Sequence, residues 1–286
     1  MYSKWDRIGG YELIRLIRLG SSCQVWEARR GADEESYALK IMKPELRGKT
    51  EEIVHLKREF EIASRLNHQN IIKVIECNTD LQTPFFVMEL FSEINLKQTV
   101  RRGPETIASK LPSIIEQTCQ SLHYLHTQGY VHCDIKPENL LSSREFNIKL
   151  IDFSTAKKVM SGLGKLFGGK SKIEGTRWYM SPEQIRGLQL DARSDIYSAG
   201  CMMFELTTGR VPFTGTTPNE VLHKHLNASR PDAVELKHNL TGEFSDLLKI
   251  LMDVNPKSRP RNMMEVRELF RSTPIFNMDP FSIGEL

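Results

Sequence analysis

The chain has 286 residues, 40% of them hydrophobic, and a formal net charge of +3 at pH 7. This apolar content is enough for a large folded core, whereas a small charge without a basic, aromatic-rich patch gives no indication of nucleic-acid binding. No run of about eighteen apolar residues predicts a membrane-spanning helix, and the first residues lack the apolar stretch of a signal peptide. The five cysteines show neither zinc-site spacing nor a disulfide pattern. We therefore expect a soluble cytoplasmic protein with reduced thiols.

The first 90 residues favour β-strands together with one helix. Residues 11–28 and 36–42 contain short β-rich runs, and the cluster Gly31-Ala32-Asp33 between them predicts a turn. Residues 51–66 carry apolar side chains at three- and four-residue steps, which predicts an amphipathic helix. Glu59 lies within that predicted helix.

After Leu90-Phe91-Ser92 the pattern becomes mainly helical, with helices predicted over residues 114–126 and 194–207. Glycine and lysine dominate residues 161–172, which predicts a mobile loop. The residues after Ser272 show no periodicity, and we expect a loosely packed tail there.

The most specific signal is the segment His132-Cys133-Asp134-Ile135-Lys136-Pro137-Glu138-Asn139, followed by Ile151-Asp152-Phe153-Ser154. Phosphoryl transfer needs an acid that accepts a hydroxyl proton, a cation for the γ-phosphate and oxygen ligands for Mg²⁺. Asp134, Lys136, Asn139 and Asp152 supply these groups. The two segments resemble the catalytic loop and the metal-binding loop of protein kinases.

Other landmarks of that family occur in the same order along the chain. They are Tyr37-Ala38-Leu39-Lys40, Glu59, the run from Gly175 to Glu183, the run from Asp195 to Gly200, and Asn255-Pro256-Lys257-Ser258-Arg259-Pro260. The sequence of residues 191–198 most resembles that of bacterial members of the eukaryotic-like serine/threonine kinases. The resemblance covers residues 11–271.

This resemblance implies an α+β fold of two lobes. We expect a lead-in over residues 1–10, a β-rich N-lobe with one key helix over 11–90, the hinge and a helical C-lobe over 91–271, and a tail over 272–286. The implied reaction transfers the γ-phosphate of ATP, with Mg²⁺, to serine or threonine hydroxyls of a protein substrate. No nucleic-acid partner and no membrane segment are expected.

The resemblance also implies a role for each matching residue. Asp134 orients and deprotonates the acceptor hydroxyl, Lys136 steadies the γ-phosphate, and Asn139 and Asp152 hold Mg²⁺. Lys40 contacts the α- and β-phosphates and is aimed by Glu59. Asp195 braces the catalytic loop, and Glu183 pairs with Arg259.

The adenine pocket is implied by the match of residues 85–91 to the family's hinge. Met88 corresponds to the gatekeeper, and backbone groups of Glu89 and Phe91 would bind the adenine edge. The ring would lie among apolar side chains, namely Val25, Ala38 and Leu141.

Three departures from the family pattern bear on function. An ungapped alignment places the three phosphate-loop glycines at Arg18, Gly20 and Cys23, so only Gly20 is retained; a two-residue gap is the alternative. Cys133 replaces the arginine before the catalytic aspartate, and this arginine normally docks a phosphorylated activation segment. Ser154 replaces a glycine and should restrict backbone flipping after Asp152.

These departures leave alternatives open. The altered glycine loop motivates a pseudokinase, which would bind nucleotide or act as a scaffold without turnover, and a kinase for small molecules is a third hypothesis. Cys23 is either a reactive thiol with a lowered pKa above the phosphates or a buried inert thiol.

Overall fold

The computed structural model describes residues 2–31, 35–79, 83–91, 94–159 and 176–278. The chain divides into two compact units. Unit 1 comprises Met1–Glu93 and Ile151–Ser154, and unit 2 comprises Ile94–Leu150 and Thr155–Leu286. The loop predicted over 161–172, two residues of the predicted turn (Ala32 and Asp33) and the end of the tail lie outside the described residues.

Unit 1 is built on an antiparallel sheet with the strand order β1-β2-β3-β4-β6-β5. Its elements are β1 (Arg7–Ile8), β2 (Tyr11–Leu19), β3 (Cys23–Arg30), β4 (Ser36–Met42), α1 (Thr50–Ala63), β5 (Val74–Asn78) and β6 (Phe85–Glu89). The predicted β-rich unit with a single key helix is therefore present. Residues 151–154 also belong to this unit, although they lie far beyond the predicted N-lobe of residues 11–90.

The sheet buries apolar side chains on both faces. Because side chains alternate along a strand, Leu39 and Ile41 of β4 join one core cluster, whereas Met42 joins a second cluster on the face of α1. Lys40 shares the face of Met42, so the strand register directs its ammonium group toward α1.

Strand β1 was not predicted, because residues 1–10 were interpreted as a lead-in. Arg7 and Ile8 pair with the start of β2 through a two-residue turn, Gly9-Gly10. Both glycines have positive φ, 58° and 86°, as the tight type I′ hairpin turn requires. A Cβ on Gly9 would lie 2.1 Å from the ring of Phe85, so the turn is packed directly against the sheet.

Helix α1 ends at Ala63, three residues before the predicted end. The next amides bond to carbonyls three residues earlier, as in a 3-10 turn. The Arg65 amide donates to the carbonyl of Ile62, and the Leu66 amide donates to that of Ala63. Leu66 remains buried, which explains why the apolar pattern extends past the helix.

Unit 2 is mainly helical. Its helices are α2 (Leu96–Val100), α3 (Leu111–Thr127), α4 (Pro182–Ile185), α5 (Ala192–Thr208), α6 (Pro218–Asn227), α7 (Ala233–Leu236), α8 (Gly242–Leu251) and α9 (Met263–Ser272). Its short strands pair as β7 (Tyr130–Val131) with β10 (Lys157–Lys158) and β8 (Leu140–Ser142) with β9 (Ile148–Leu150). None of the described helices is long and apolar enough to cross a membrane.

Helix α5 lies at the centre of unit 2. Its N-terminus is capped by the Asp191 side chain, which accepts a hydrogen bond from the Arg193 amide, and Gly209 ends it in the left-handed conformation. A Cβ on Gly200 would lie 2.8 Å from Leu251, so this glycine permits close packing of α5 against α8. Both α3 and α5 contain the helices predicted for their regions and extend one to three residues beyond them at each end.

Candidate functional site

In unit 1, β4 and α1 bring Lys40 and Glu59 together. The Lys40 ammonium donates to both carboxylate oxygens of Glu59, at 2.6 and 2.7 Å. Burial would lower the pKa of Lys40, but the carboxylates of Asp152 and Glu59 outweigh it and raise that pKa. The contact that the sequence predicted is therefore present, and the lysine remains charged.

Asp152 lies beside this pair in the segment that returns to unit 1. Its Oδ1 is 3.7 Å from the Lys40 ammonium and accepts a 2.6 Å hydrogen bond from the Ser154 hydroxyl. The backbone of Asp152 is left-handed, with φ 69°, which is uncommon for a non-glycine residue. The serine that replaces the family's glycine therefore fixes the orientation of the Asp152 carboxylate.

In unit 2, the carboxylate of Asp134 lies among three residues, Lys136, Thr176 and Asn139. Oδ1 accepts a 2.8 Å hydrogen bond from the Thr176 amide, and Oδ2 is 2.5 Å from the Lys136 ammonium. Lys136 also donates to the Thr176 hydroxyl at 2.5 Å. These contacts connect the catalytic-loop segment to the first described residue after the gap at 160–175.

Asn139 completes this group through its amide nitrogen. Nδ2 donates to the backbone oxygen of Asp134 at 2.9 Å and lies 3.2 Å from Oδ2. The amide oxygen Oδ1 is buried and has no hydrogen-bond partner within the described parts of the chain. A buried acceptor without a donor is costly unless a cation or water occupies it, so this oxygen fits a Mg²⁺ ligand.

Asp195 holds the backbone of the catalytic-loop segment. Its fully buried carboxylate accepts the amides of His132 and Cys133 at 2.8 and 2.9 Å, and Nε2 of His126 lies at 2.8 Å. Burial would raise the pKa of Asp195, but these interactions outweigh it and lower that pKa. The predicted bracing by Asp195 is confirmed. The contact of His126 with Asp195 was not predicted, because His126 lies on α3 outside every motif.

Cys133 occupies a buried position in which its φ is 68°. Burial raises the pKa of its thiol, so the side chain is neutral. Its backbone oxygen accepts a 2.8 Å hydrogen bond from Gln184. The residue before Asp134 therefore brings no cation, in contrast to the arginine usual in the family.

Glu183 and Arg259 form a buried ion pair, as the resemblance to protein kinases implies. The guanidinium donates to the two carboxylate oxygens at 2.8 and 3.0 Å. Burial opposes ionisation, but the hydrogen bonds from Arg259 hold the pKa of Glu183 below its usual range. Bidentate geometry of this kind is among the stronger charge-assisted contacts and joins α4 to the chain before α9.

A polar cluster that no motif predicted links α2 and α5 to the residues after Thr176. The carboxylate of Glu205 on α5 bonds to the Lys97 ammonium and to the Tyr179 hydroxyl. Burial raises the pKa of Tyr179, so its hydroxyl keeps its proton and donates. The cluster anchors Tyr179, three residues beyond the contact between Thr176 and Asp134.

The residues predicted for the adenine pocket lie in both units. Met88 pairs with Ala38 across β6 and β4, and Val25 pairs with Lys40 across β3 and β4. Glu89 ends β6, Phe91 follows it, and Leu141 lies in β8 of unit 2. Their roles toward adenine stay predictions.

Gly20 opens the turn between β2 and β3. Its amide donates to the carbonyl of Cys23 at 2.9 Å, and a Cβ on Gly20 would lie 3.0 Å from that oxygen. Arg18 is exposed and pairs with Val25 within the strands. The pairing of β2 shifts twice, between Leu13 and Arg15 and again before Arg18.

Of the two alternatives left open for Cys23, the one with a lowered thiol pKa is contradicted by the structure. The residue begins β3 with its side chain buried in the cluster of Met42, Leu56 and Phe86. Burial raises its thiol pKa, and the Lys40 cation only partly offsets that effect. The interpretation as a buried thiol agrees with the structure.

Comparison with known proteins agrees with this geometry. The model of the protein kinase domain matches residues 11–270. Serine/threonine-protein kinase PknB of Mycobacterium tuberculosis is 31% identical over 266 residues, covering 90% of this chain and 42% of that protein. A probable serine/threonine-protein kinase of Streptomyces coelicolor is 30% identical over 266 residues, covering 91% of this chain and 39% of the relative.

A probable serine/threonine-protein kinase of Clostridium acetobutylicum is 28% identical over 256 residues, which cover 90% of this chain and 38% of that protein. The chain thus spans about two-fifths of the length of these curated relatives. The family match, which extends over most of the chain, confirms the predicted α+β fold and the resemblance drawn from the motifs. The chain belongs to the protein kinase domain family and is similar to bacterial serine/threonine kinases.

Proposed function

We propose that this chain is a serine/threonine protein kinase that transfers the γ-phosphate of ATP to a protein hydroxyl. One observation carries the proposal: the Asp134 carboxylate is held by Lys136 and Thr176, with Asn139 bound to the same loop. In this arrangement Asp134 would act as the base, with the Lys136 ammonium beside it. The serine/threonine names of the relatives support the acceptor class.

The residues of unit 1 would act on the nucleotide. Lys40, aimed by Glu59, would bind the α- and β-phosphates, since an ammonium held by a buried carboxylate loses little entropy on contact. Gly20 begins the turn that would approach the phosphates. The adenine would contact Val25, Ala38, Met88 and Leu141, and backbone groups of Glu89 and Phe91.

The residues of unit 2 would act on the acceptor. Asp134 would orient the serine or threonine hydroxyl and accept its proton as the oxygen attacks the γ-phosphorus. Lys136 would neutralise charge that develops on the γ-phosphate oxygens. Thr176 fixes both side chains, so neither needs to reorganise during transfer.

Mg²⁺ would be held by Asn139 and Asp152, and when bound it supplies charge neutralisation at the phosphate oxygens. The buried, unpartnered Oδ1 of Asn139 supports this assignment. Ser154 contributes by fixing the orientation of the second ligand, Asp152.

A pseudokinase is the second hypothesis, favoured only by the loss of two loop glycines at Arg18 and Cys23. Against it, Lys40, Asp134, Asn139 and Asp152 are all present, and the ion pair of Lys40 with Glu59 is formed. A kinase for small molecules has no specific structural observation in its favour.

We further propose that residues 11–271 form the catalytic domain, with the N-lobe over 11–90. None of the five cysteines, all of which lie in the described parts of the chain, forms a disulfide, which supports a reducing compartment such as the cytoplasm.

The proposal is tested by transfer of labelled γ-phosphate from Mg-ATP to the chain itself and to a generic basic protein. We expect transfer by the wild type and losses of at least a thousandfold, about 4 kcal/mol of barrier, in Asp134→Asn and Asp152→Ala. Asp246→Asn is the matched control, because this aspartate is exposed on α8, where its carboxylate pairs with Lys249. Binding of Mg-ATP without transfer by the wild type would favour the pseudokinase.

A further inference from the structure

Residues 2–10, which we call the strap, lie outside the matched kinase domain, yet Tyr2 belongs to the core of unit 1 and Ile8 packs against it. Tyr2 is 8% exposed and packs in the cluster of Tyr11, Trp26 and Phe85. The Trp5 amide donates to the Leu13 carbonyl at 2.7 Å. The strap is thus fixed on the face of the sheet opposite α1.

The Tyr2 hydroxyl reaches from the strap to the end of β4. It donates to the carbonyl of Met42 at 3.1 Å and accepts a hydrogen bond from the Arg47 guanidinium at 2.7 Å. The guanidinium carbon also lies 5.4 Å from the centre of the Tyr2 ring. One hydroxyl therefore satisfies two partners on the connection between β4 and α1.

The Met42 carbonyl belongs to a peptide unit that is held from both sides. Its oxygen accepts from Tyr2, and its amide, that of Lys43, donates to the Ser22 carbonyl at 2.9 Å. Ser22 is the last residue of the turn between β2 and β3. A rigid peptide plane thus couples the strap to the turn that would approach the phosphates.

The same connection leads into α1. The N-cap residue of α1, Lys49, supplies no side-chain hydrogen bond, so its own cap does not anchor this end of the helix. Arg47, two residues earlier, is anchored on Tyr2 instead. Helix α1 carries Glu59, which aims Lys40.

We propose that Tyr2 is a positioning residue for nucleotide binding, acting through the Met42–Lys43 peptide on the turn at Ser22 and through Arg47 on α1. The inference rests on the proposed function. It predicts that loss of the Tyr2 hydroxyl weakens ATP binding while the transfer step itself is little affected, because the residues around Asp134 are unchanged.

The test compares wild type, Tyr2→Phe and Arg47→Lys, with Tyr37→Phe as the matched control. Tyr37 lies in the same unit, and its hydroxyl bonds to Glu35 at the exposed surface. Tyr2→Phe keeps the ring in the core, so folding should be preserved, as circular dichroism checks.

Hydrogen exchange, followed without nucleotide, should be about threefold to tenfold faster at the Lys43 amide in Tyr2→Phe, the range expected for one hydrogen bond. The apparent KM for ATP should rise by a similar factor, whereas kcat should change less than about twofold. Arg47→Lys should also increase both the exchange rate at Lys43 and the KM for ATP.

Unchanged exchange at Lys43, or faster exchange with the KM for ATP unchanged, would overturn the proposal. If the wild type transfers no phosphate, the proposed function fails, and the exchange data with the Kd of Mg-ATP still decide the role of Tyr2.

Discussion

The imidazole of His225 on α6 lies 2.8 Å from the hydroxyl of Tyr197 on α5, and both side chains are buried. The ring also packs edge-on against Phe213, with 4.8 Å between ring centres. Burial and the nearby Arg230 cation lower the pKa of His225 to about 4. His225 is therefore neutral in the folded protein at physiological pH.

This pKa makes unit 2 sensitive to acid. Because the folded pKa lies below the ordinary value near 6.5, the unfolded chain takes up the proton first, and stability is lost as pH falls from about 6.5 toward 4. The free energy of unfolding should drop by about 2 kcal/mol between roughly pH 7 and pH 5. Urea unfolding followed by circular dichroism should show a flatter dependence in His225→Gln. His223→Gln, on the exposed face of the same helix, should retain the wild-type slope, and equal slopes in all three proteins would contradict this prediction.

Glu59→Gln should weaken catalysis through Lys40 without unfolding the protein. The amide keeps one acceptor but loses the charge that holds the ammonium, and contacts of this kind contribute about 1.5–3 kcal/mol. We expect kcat/KM for ATP to fall by about tenfold to a hundredfold, measured at saturating protein substrate. Glu61→Gln, an exposed position on the same helix, is the control and should match the wild type. A wild-type value for Glu59→Gln would mean that Lys40 does not depend on this partner.

Alkylation should discriminate between the cysteines. Cys77 is half-buried, whereas Cys23, Cys119, Cys133 and Cys201 are buried, and burial raises the pKa of the thiol of Cys23. Iodoacetamide should therefore modify Cys77 first, as peptide mass spectrometry would show, and leave Cys23 unmodified. Wild type and Cys23→Ser should lose transfer activity at the same rate during treatment. Faster inactivation of the wild type would restore the reactive-thiol hypothesis for Cys23.

Transfer activity should not require phosphate on the segment between Asp152 and Glu183. The usual requirement arises because an arginine beside the catalytic aspartate needs an anion to order that segment. Cys133 is neutral and buried at this position. Enzyme treated with phosphatase and confirmed free of phosphate by mass spectrometry should keep its initial rate.

The competing possibility is that lysines of the segment, Lys157 and Lys158 among them, take over the missing arginine's role. A drop of about tenfold, or 1.4 kcal/mol of barrier, that rephosphorylation reverses would show that this possibility is correct.

The sequence was sufficient where local chemistry fixes the spacing. Asp134, Lys136 and Asn139 lie within one short loop, and the structure brings them together as expected. The long-range contact of Lys40 with Glu59 was also predicted, because the resemblance to protein kinases implies this pair, and the structure contains it.

Other features depend on tertiary packing that no local pattern reveals. The side chain of Cys23 turns inward because the register of β3 places it against Met42 and Phe86. His126 and Lys97 act through partners on α5, far away in sequence. Strand β1 did have a signal, the Gly9-Gly10 pair between Ile8 and Tyr11, which is typical of a tight hairpin.

The Gly9-Gly10 hairpin has a practical consequence for work on the isolated domain. A fragment cut at residue 11, where the family match begins, would lose β1 and leave the start of β2, from Tyr11 to Leu13, without its backbone partners. It would also uncover Phe85 and the aromatic cluster beneath Tyr2. An unpaired strand beside newly exposed apolar surface is a template for intermolecular pairing, so such a fragment should associate or precipitate at concentrations where the full chain stays dispersed.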